Sequence, residues 1–112
     1  MATNVIISNG VQPTTTSITS LYTSPVTSLG TRIIAFTACN PVGTTNTYSV
    51  WIVPASGTAD NTNRIISVSS LITNESESPP ELQNHLIPPG GTLQVQVSTG
   101  TTINFRSTGI QF

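Results

Sequence analysis

Charged side chains are scarce in this chain of 112 residues: Asp, Glu, Lys and Arg make up 6% of it, and the formal net charge is −1. An average soluble protein carries about 25% charged residues. Nucleic-acid affinity depends on Lys and Arg side chains that neutralise several phosphates, and the three basic residues present are too few. We therefore expect no nucleic-acid partner, and a surface of uncharged polar groups in which Ser and Thr predominate.

Cysteine and long apolar runs are also nearly absent. Cys39 is the single cysteine, so no internal disulfide can form, and its apolar neighbours indicate a small buried side chain. No run of about 20 apolar residues could span a bilayer, so we expect no membrane partner. The first ten residues, MATNVIISNG, lack the basic and apolar regions of a secretory signal, which predicts synthesis in the cytosol.

The apolar repeat of an amphipathic helix is missing as well, and good helix formers are scarce. Short β-branched segments instead alternate with turns rich in Gly, Pro, Asn and Ser. This pattern predicts an all-β fold, a single-domain antiparallel β-sandwich or jelly roll of about eight short strands. The central strands are Arg32 to Cys39 and Tyr48 to Val53, both expected to be buried on two faces; they either pair directly or cross between sheets.

The last thirty residues or so show the clearest strand alternation. Leu93, Val95 and Val97 alternate with polar residues, which predicts one packed face and one face that is wet or touches a partner. We expect this strand to form a hairpin with a strand around Ile103 and Phe105, followed by a separate last strand over residues 109–112.

The N-terminal segment divides the chain into two predicted parts. Residues 1–16 hold a short apolar strand or arm and a Thr-rich linker, and residues 17–112 form the β-sandwich domain. The apolar run from Val5 to Ile7 suits an arm that adds a strand to the open sheet edge of a neighbour. It equally suits the first strand of the chain's own sandwich.

Residues for catalysis or metal binding do not form a recognisable motif. The only histidine, His85, has no nucleophile elbow near it, and we interpret it as structural. The carboxylates Asp60, Glu75, Glu77 and Glu81 lie in predicted loops without apolar neighbours that would raise a pKa, and residues 74–81 are expected to be an exposed, solvated loop. We predict that the protein is not an enzyme and binds no cofactor or metal.

Three segments together resemble a known group of proteins. They are LYTSP, the block TRIIAFTACNPVGTTNTYSVWIVPASGTADNTNRIIS, and the tail ELQNHLIPPGGTLQVQVSTGTTINFRSTGIQF. Over roughly Ser17 to Phe112 the order of these motifs resembles small virion proteins of tailed bacteriophages. The resemblance implies a β-sandwich that sits on the capsid, tail or baseplate as a homo-oligomer, with no catalytic residue.

Within this group, the small size and the lack of heptad or fibre repeats favour a capsid decoration (cement) protein. We expect a homotrimer bound to the major capsid protein or other virion proteins, located in the virion and assembled in the bacterial host cytoplasm. A minor tail, collar or baseplate adaptor is the alternative. The predicted interface residues are Val5, Ile6, Ile7, Gln94 and Gln96.

A carbohydrate-binding module is a further alternative, because an exposed aromatic ring on a β-sandwich can stack on a sugar. Trp51 and Tyr48 are the candidates, although their spacing on one strand places them on opposite faces. Burial of Trp51 would argue against this function.

Overall fold

Turn residues at short intervals produce a chain of strands joined by loops. A computed structural model describes residues 2–112, which form nine β-strands and one 3₁₀ turn at Pro80–Leu82. The strands are β1 Thr3–Val11, β2 Thr19–Thr23, β3 Thr31–Asn40, β4 Asn46–Val53, β5 Arg64–Leu71, β6 Glu75–Glu77, β7 Leu86–Ile87, β8 Thr92–Val97 and β9 Asn104–Gln111. No helix in this part of the chain is long and apolar enough to cross a membrane.

The strands pair into two antiparallel sheets that pack face to face. Sheet A has the order β1-β9-β3-β6, with β7 pairing beside β6 on β3, and sheet B has the order β2-β8-β4-β5. The predicted all-β, single-domain sandwich is confirmed. The two central strands, β3 and β4, lie in different sheets, so the connection between them crosses from one sheet to the other.

The predicted hairpin near the end of the chain is wrong. Strand β8 pairs with β2 and β4 in sheet B, whereas β9 pairs with β1 and β3 in sheet A. The intervening turn bonds to β4 and to the loop after β1: the Ser98 amide donates to the Thr47 carbonyl at 2.9 Å, and the Thr101 amide donates to the Pro13 carbonyl at 2.7 Å. A strand with one packed face shows the same alternation whether the next strand pairs with it in a hairpin or crosses to the other sheet. The alternation therefore could not distinguish these two arrangements.

Two further strand boundaries differ from the prediction. The separate strand expected over residues 109–112 does not exist, because β9 continues through Gly109. The acidic segment expected to be an exposed loop forms β6, where Glu75–Glu77 pair with the end of β3. The segment is short and rich in Ser and Pro, so its sequence did not predict a strand that pairs with the edge of an existing sheet.

The core lies between the inner faces of the two sheets and is centred on three aromatic rings. Phe105 of β9 packs against Phe36 of β3, with ring centroids 5.8 Å apart, and against Tyr48 of β4, at 5.6 Å. All three side chains are buried. Phe105 therefore joins sheet A to sheet B at the centre of the sandwich.

A β-bulge in β3 changes which residues face the core. The register shifts between Ile33 and Ala35, so Ile34 is an extra residue opposite β9. As a result Ile33 and Phe36 both point inward, while Ile34 points to solvent. The expectation that β3 is buried on both faces is therefore wrong, and Cys39, expected to be buried, is only half-buried on this strand.

Candidate interaction surface

The outer face of sheet A carries an apolar patch. We call this patch the sheet A face and define it by Ile6 of β1, Ile34 of β3, Ile110 of β9 and Leu86 of β7. Ile6, Ile34 and Leu86 are 63%, 43% and 45% exposed, and Ile110 is half-buried. Arg32 pairs with both Leu86 and Ile110, so these side chains lie side by side across three strands.

One β-bulge turns an apolar side chain of this patch outward, and a second bulge lies close to it in β1. One is the bulge in β3 that places Ile34 in solvent. The other lies in β1, where the register shifts between Ile6 and Ser8. Both bulges lie opposite the same short stretch of β9, so Ile6 and Ile34 lie on either side of Thr108.

Three residues of the sheet A face, Ile6, Ile34 and Ile110, line a shallow groove. Its volume is about 300 Å³, and its lining residues are Asn4, Val5, Ile6, Ile34, Thr108, Gly109 and Ile110. The outer face of an exposed antiparallel sheet normally carries polar residues. A contiguous apolar patch in that position marks an interaction site.

Two arginines lie on the same outer face of sheet A. The Arg32 guanidinium carbon lies 5.3 Å from the centroid of the Phe112 ring. Arg106, two residues before Thr108 on β9, donates a hydrogen bond of 3.0 Å to the side-chain oxygen of Asn9. Both cations thus contact neutral groups, and they give the face a positive potential.

The residues predicted for an interface do not lie together. Ile6 lies on the sheet A face, whereas Val5 packs against the core and Ile7 is buried within it. Gln94 and Gln96 lie on sheet B, where their amides donate to Thr92 and Thr16. Ile34 was missed because nothing in an apolar run shows which residue a bulge turns outward. Leu86 and Ile110 were missed because the pairing that brings β7 and β9 beside β3 is long-range. The role of the predicted residues in an interface stays a prediction, as does the division at residue 16; β1 pairs with β9 of its own chain.

The aromatic candidates for sugar stacking are inaccessible. Trp51 and Tyr48 are each 1% exposed. The Arg64 guanidinium lies over the Trp51 ring, 4.8 Å from its centroid. Neither ring can stack on a sugar. The burial of Trp51 therefore argues against a carbohydrate-binding module.

The fluorescence of Trp51 provides a direct check on its burial. Because Trp51 is the only tryptophan, we expect blue-shifted emission that iodide does not quench, with a red shift on unfolding in urea. Addition of mono- and oligosaccharides should leave the emission unchanged. Emission typical of a water-exposed indole in the folded protein would contradict the position of this side chain.

A partly buried polar network links the two sheets beside the core. The Tyr48 hydroxyl on β4 donates to the Glu77 carboxylate on β6, and the Ser69 hydroxyl on β5 donates to the same oxygen at 2.8 Å. Burial of the ring, followed by the neighbouring carboxylate, raises the pKa of the Tyr48 hydroxyl above its usual range. The neutral, hydrogen-bonded tyrosine is therefore the form that the fold stabilises.

This network predicts a loss of stability at alkaline pH. Above about pH 10 the unfolded chain releases the tyrosine proton while folded Tyr48 keeps it, so the free energy of unfolding should fall by about 1.4 kcal/mol per pH unit. Tyr48→Phe should remove this dependence and, at neutral pH, cost about 1–3 kcal/mol because Glu77 loses a donor. Urea denaturation at several pH values measures both effects.

The matched control for this prediction is Glu77→Gln, which retains the tyrosine. Burial is the larger cause of the pKa shift, so Glu77→Gln should keep most of the alkaline loss. An alkaline loss of the same size in Tyr48→Phe as in the wild type would contradict the assignment.

Titratable groups that could do chemistry are dispersed in the structure. His85 is exposed, and its carbonyl accepts a 2.9 Å hydrogen bond from the Ile33 amide. Asp60 is exposed in the loop between β4 and β5, where hydrogen bonds from Thr62 lower the pKa of its carboxyl. Among residues 2–112 no group of three or more His, Cys, Asp or Glu side chains could hold a metal ion.

Comparison with known proteins identifies a fold and no family. The sequence matches no protein-family model and no curated protein. Solved structures with a similar fold include chains of infectious bursal disease virus (IBDV). A chain in the crystal structure of the T13 IBDV viral particle has a TM-score of 0.59 at 10% identity, and the match covers 100% of this chain and 31% of that chain.

A chain in the structure of the infectious bursal disease virus Gx strain gives a similar result. Its TM-score is 0.54 at 10% identity, covering 100% of this chain and 32% of that chain. The present chain thus spans about a third of the length of the viral chains it matches. At this level of identity the likeness establishes a shared β-sandwich fold.

Proposed function

We propose that this chain is a non-enzymatic structural protein of a virion, and within that class a capsid decoration (cement) protein. In this role it binds the outer surface of the head as a homotrimer and stabilises the shell through the major capsid protein. The observation that carries the proposal is the exposed apolar face on a sandwich with few charges. Such a surface needs a protein partner, and its neutral contacts resist changes in salt.

Two further observations support this function. The fold is shared with chains of an icosahedral virus particle. The strand and turn motifs over residues 17–112 resemble virion proteins of tailed bacteriophages, and this resemblance is the reason for placing the protein on a phage head assembled in the bacterial cytoplasm. A minor tail, collar or baseplate component with the same fold is the alternative.

Labelling of particles tests the proposal directly. Antibodies against the purified protein, applied to particles of the virus that encodes it, should bind around the head in electron micrographs. Particles produced without the protein should release their genome at a lower temperature than complete particles. Label confined to the tail would favour the alternative, and absence of the protein from purified particles would refute a virion role.

A further inference from the structure

We propose that the sheet A face docks onto the acidic edge of a second copy of this chain, in a head-to-tail contact. The acidic edge is defined by Glu75 of β6 and Glu81 of the 3₁₀ turn. This inference rests on the proposed function, because it names the surfaces that would hold the homo-oligomer together.

The two surfaces adjoin at the β3 side of sheet A, where Leu86 of β7 and the acidic edge both lie. Ile6 on β1 lies at the opposite side of the sheet, so one copy can offer the outer face to one neighbour and the edge to another. The outer side of β1, β9 and β3 forms most of the sheet A face. Beyond β3 the sheet ends at β6, and the 3₁₀ turn that follows contacts β3 and β5 at the same side of the sandwich. Glu81 is exposed in that turn, and Glu75 is half-buried on β6.

Charge identifies a second copy as the partner. Arg32 and Arg106 lie on the outer face of sheet A together with the apolar patch, and their contacts within the chain are to neutral groups. On the edge, the Glu75 carboxylate accepts a hydrogen bond of 3.1 Å from the Ile72 amide, and Glu81 is exposed. Each copy thus carries both halves of a complementary pair, with Glu81 as the more accessible carboxylate. The net charge of −1 opposes association between copies only weakly.

The same distribution of charge disfavours a symmetric face-to-face dimer. That arrangement would bring the arginines of both copies into one interface without a carboxylate, and like charges across an interface cost affinity and suppress the wrong pairing. A head-to-tail contact instead repeats from copy to copy and closes into a ring when the rotation permits. A ring of three satisfies the proposed trimer.

The test uses one variant for each surface. Ile34→Asp places a carboxylate in the apolar face, and Glu81→Arg reverses the charge of the edge. We expect each variant alone to weaken self-association by about 100-fold or more, measured by light scattering and native mass spectrometry. Mixed in equal amounts, they should form a dimer containing one of each, because one intact face then meets one intact edge.

Matched controls are available on sheet B. Val68→Asp changes an exposed apolar residue on β5, and Asp60→Arg reverses an exposed carboxylate in the loop between β4 and β5. Both should keep the wild-type mass. Circular dichroism checks folding of every variant, and Ile6→Asp replaces Ile34→Asp if the latter does not fold.

The other outcomes overturn the proposal. Self-association of Glu81→Arg at wild-type strength, with loss in Ile34→Asp, would establish a face-to-face contact instead. If both variants kept the wild-type mass, the interface between copies would lie elsewhere on the molecule. If the wild-type protein were itself monomeric, there would be no such interface. Each of these results leaves the labelling of particles free to confirm or refute the virion role separately.

Discussion

Phe105→Ala is expected to lower the free energy of unfolding by about 3–5 kcal/mol, a large share of the roughly 5–15 kcal/mol that stabilises a typical domain. Phe105 is fully buried and touches an aromatic ring from each sheet, at 5.8 Å to Phe36 and 5.6 Å to Tyr48. Truncation leaves a cavity where the sheets meet and removes both aromatic contacts. Urea denaturation followed by circular dichroism measures the loss.

Phe112→Ala is the matched control, because it removes the same side chain from an exposed position. It should cost less than about 1 kcal/mol. If Phe105→Ala does not fold, Phe105→Leu should show a smaller loss of about 1–3 kcal/mol. Equal effects of truncation at positions 105 and 112 would contradict the packing of the core.

Gly109→Ala is expected to destabilise the protein by about 3 kcal/mol or more. Gly109 lies in the second half of β9, paired with Val5 of β1 and Ile33 of β3. A Cβ atom there would lie 2.3 Å from the backbone oxygen of Arg32 and 2.7 Å from the Cδ1 atom of Ile7. The Ile7 side chain can rotate, but the Arg32 carbonyl can move only if β3 shifts against β9.

The control for Gly109→Ala is the same change at Gly43, where an added Cβ meets no atom within 4 Å. Gly43→Ala should be neutral or stabilise the protein by about 0.4–1 kcal/mol through the unfolded state. Thermal melting of both variants makes the comparison. A Gly109→Ala protein as stable as the wild type would mean that β3 and β9 are not paired in this register.

Fold class followed from the sequence because local patterns determine it. The alternation of Leu93, Val95 and Val97 correctly identified the buried face of β8. The partner of β8 could not be found in this way, since the alternation records which face is buried and contains nothing about which strand lies beside it. That information depends on the long-range pairing of strands far apart in the chain.

The interaction surface was only partly predictable for a related reason. Ile6 was chosen from an apolar run, and it does lie on the sheet A face. Ile34 was expected to be buried, because both faces of its strand were predicted to pack and strict alternation assumes a strand without bulges. One extra residue reverses that assignment, and a run of consecutive apolar residues conceals where the extra residue falls.

The most direct measurement for the central claim is the mass of the purified wild-type protein in solution, by light scattering at low and high salt. Neutral and apolar contacts should hold the copies together, with the few charges setting their orientation, so we expect three times the mass of one chain at both salt concentrations. A monomer at every protein concentration, in low salt as in high, would contradict self-assembly through the sheet A face.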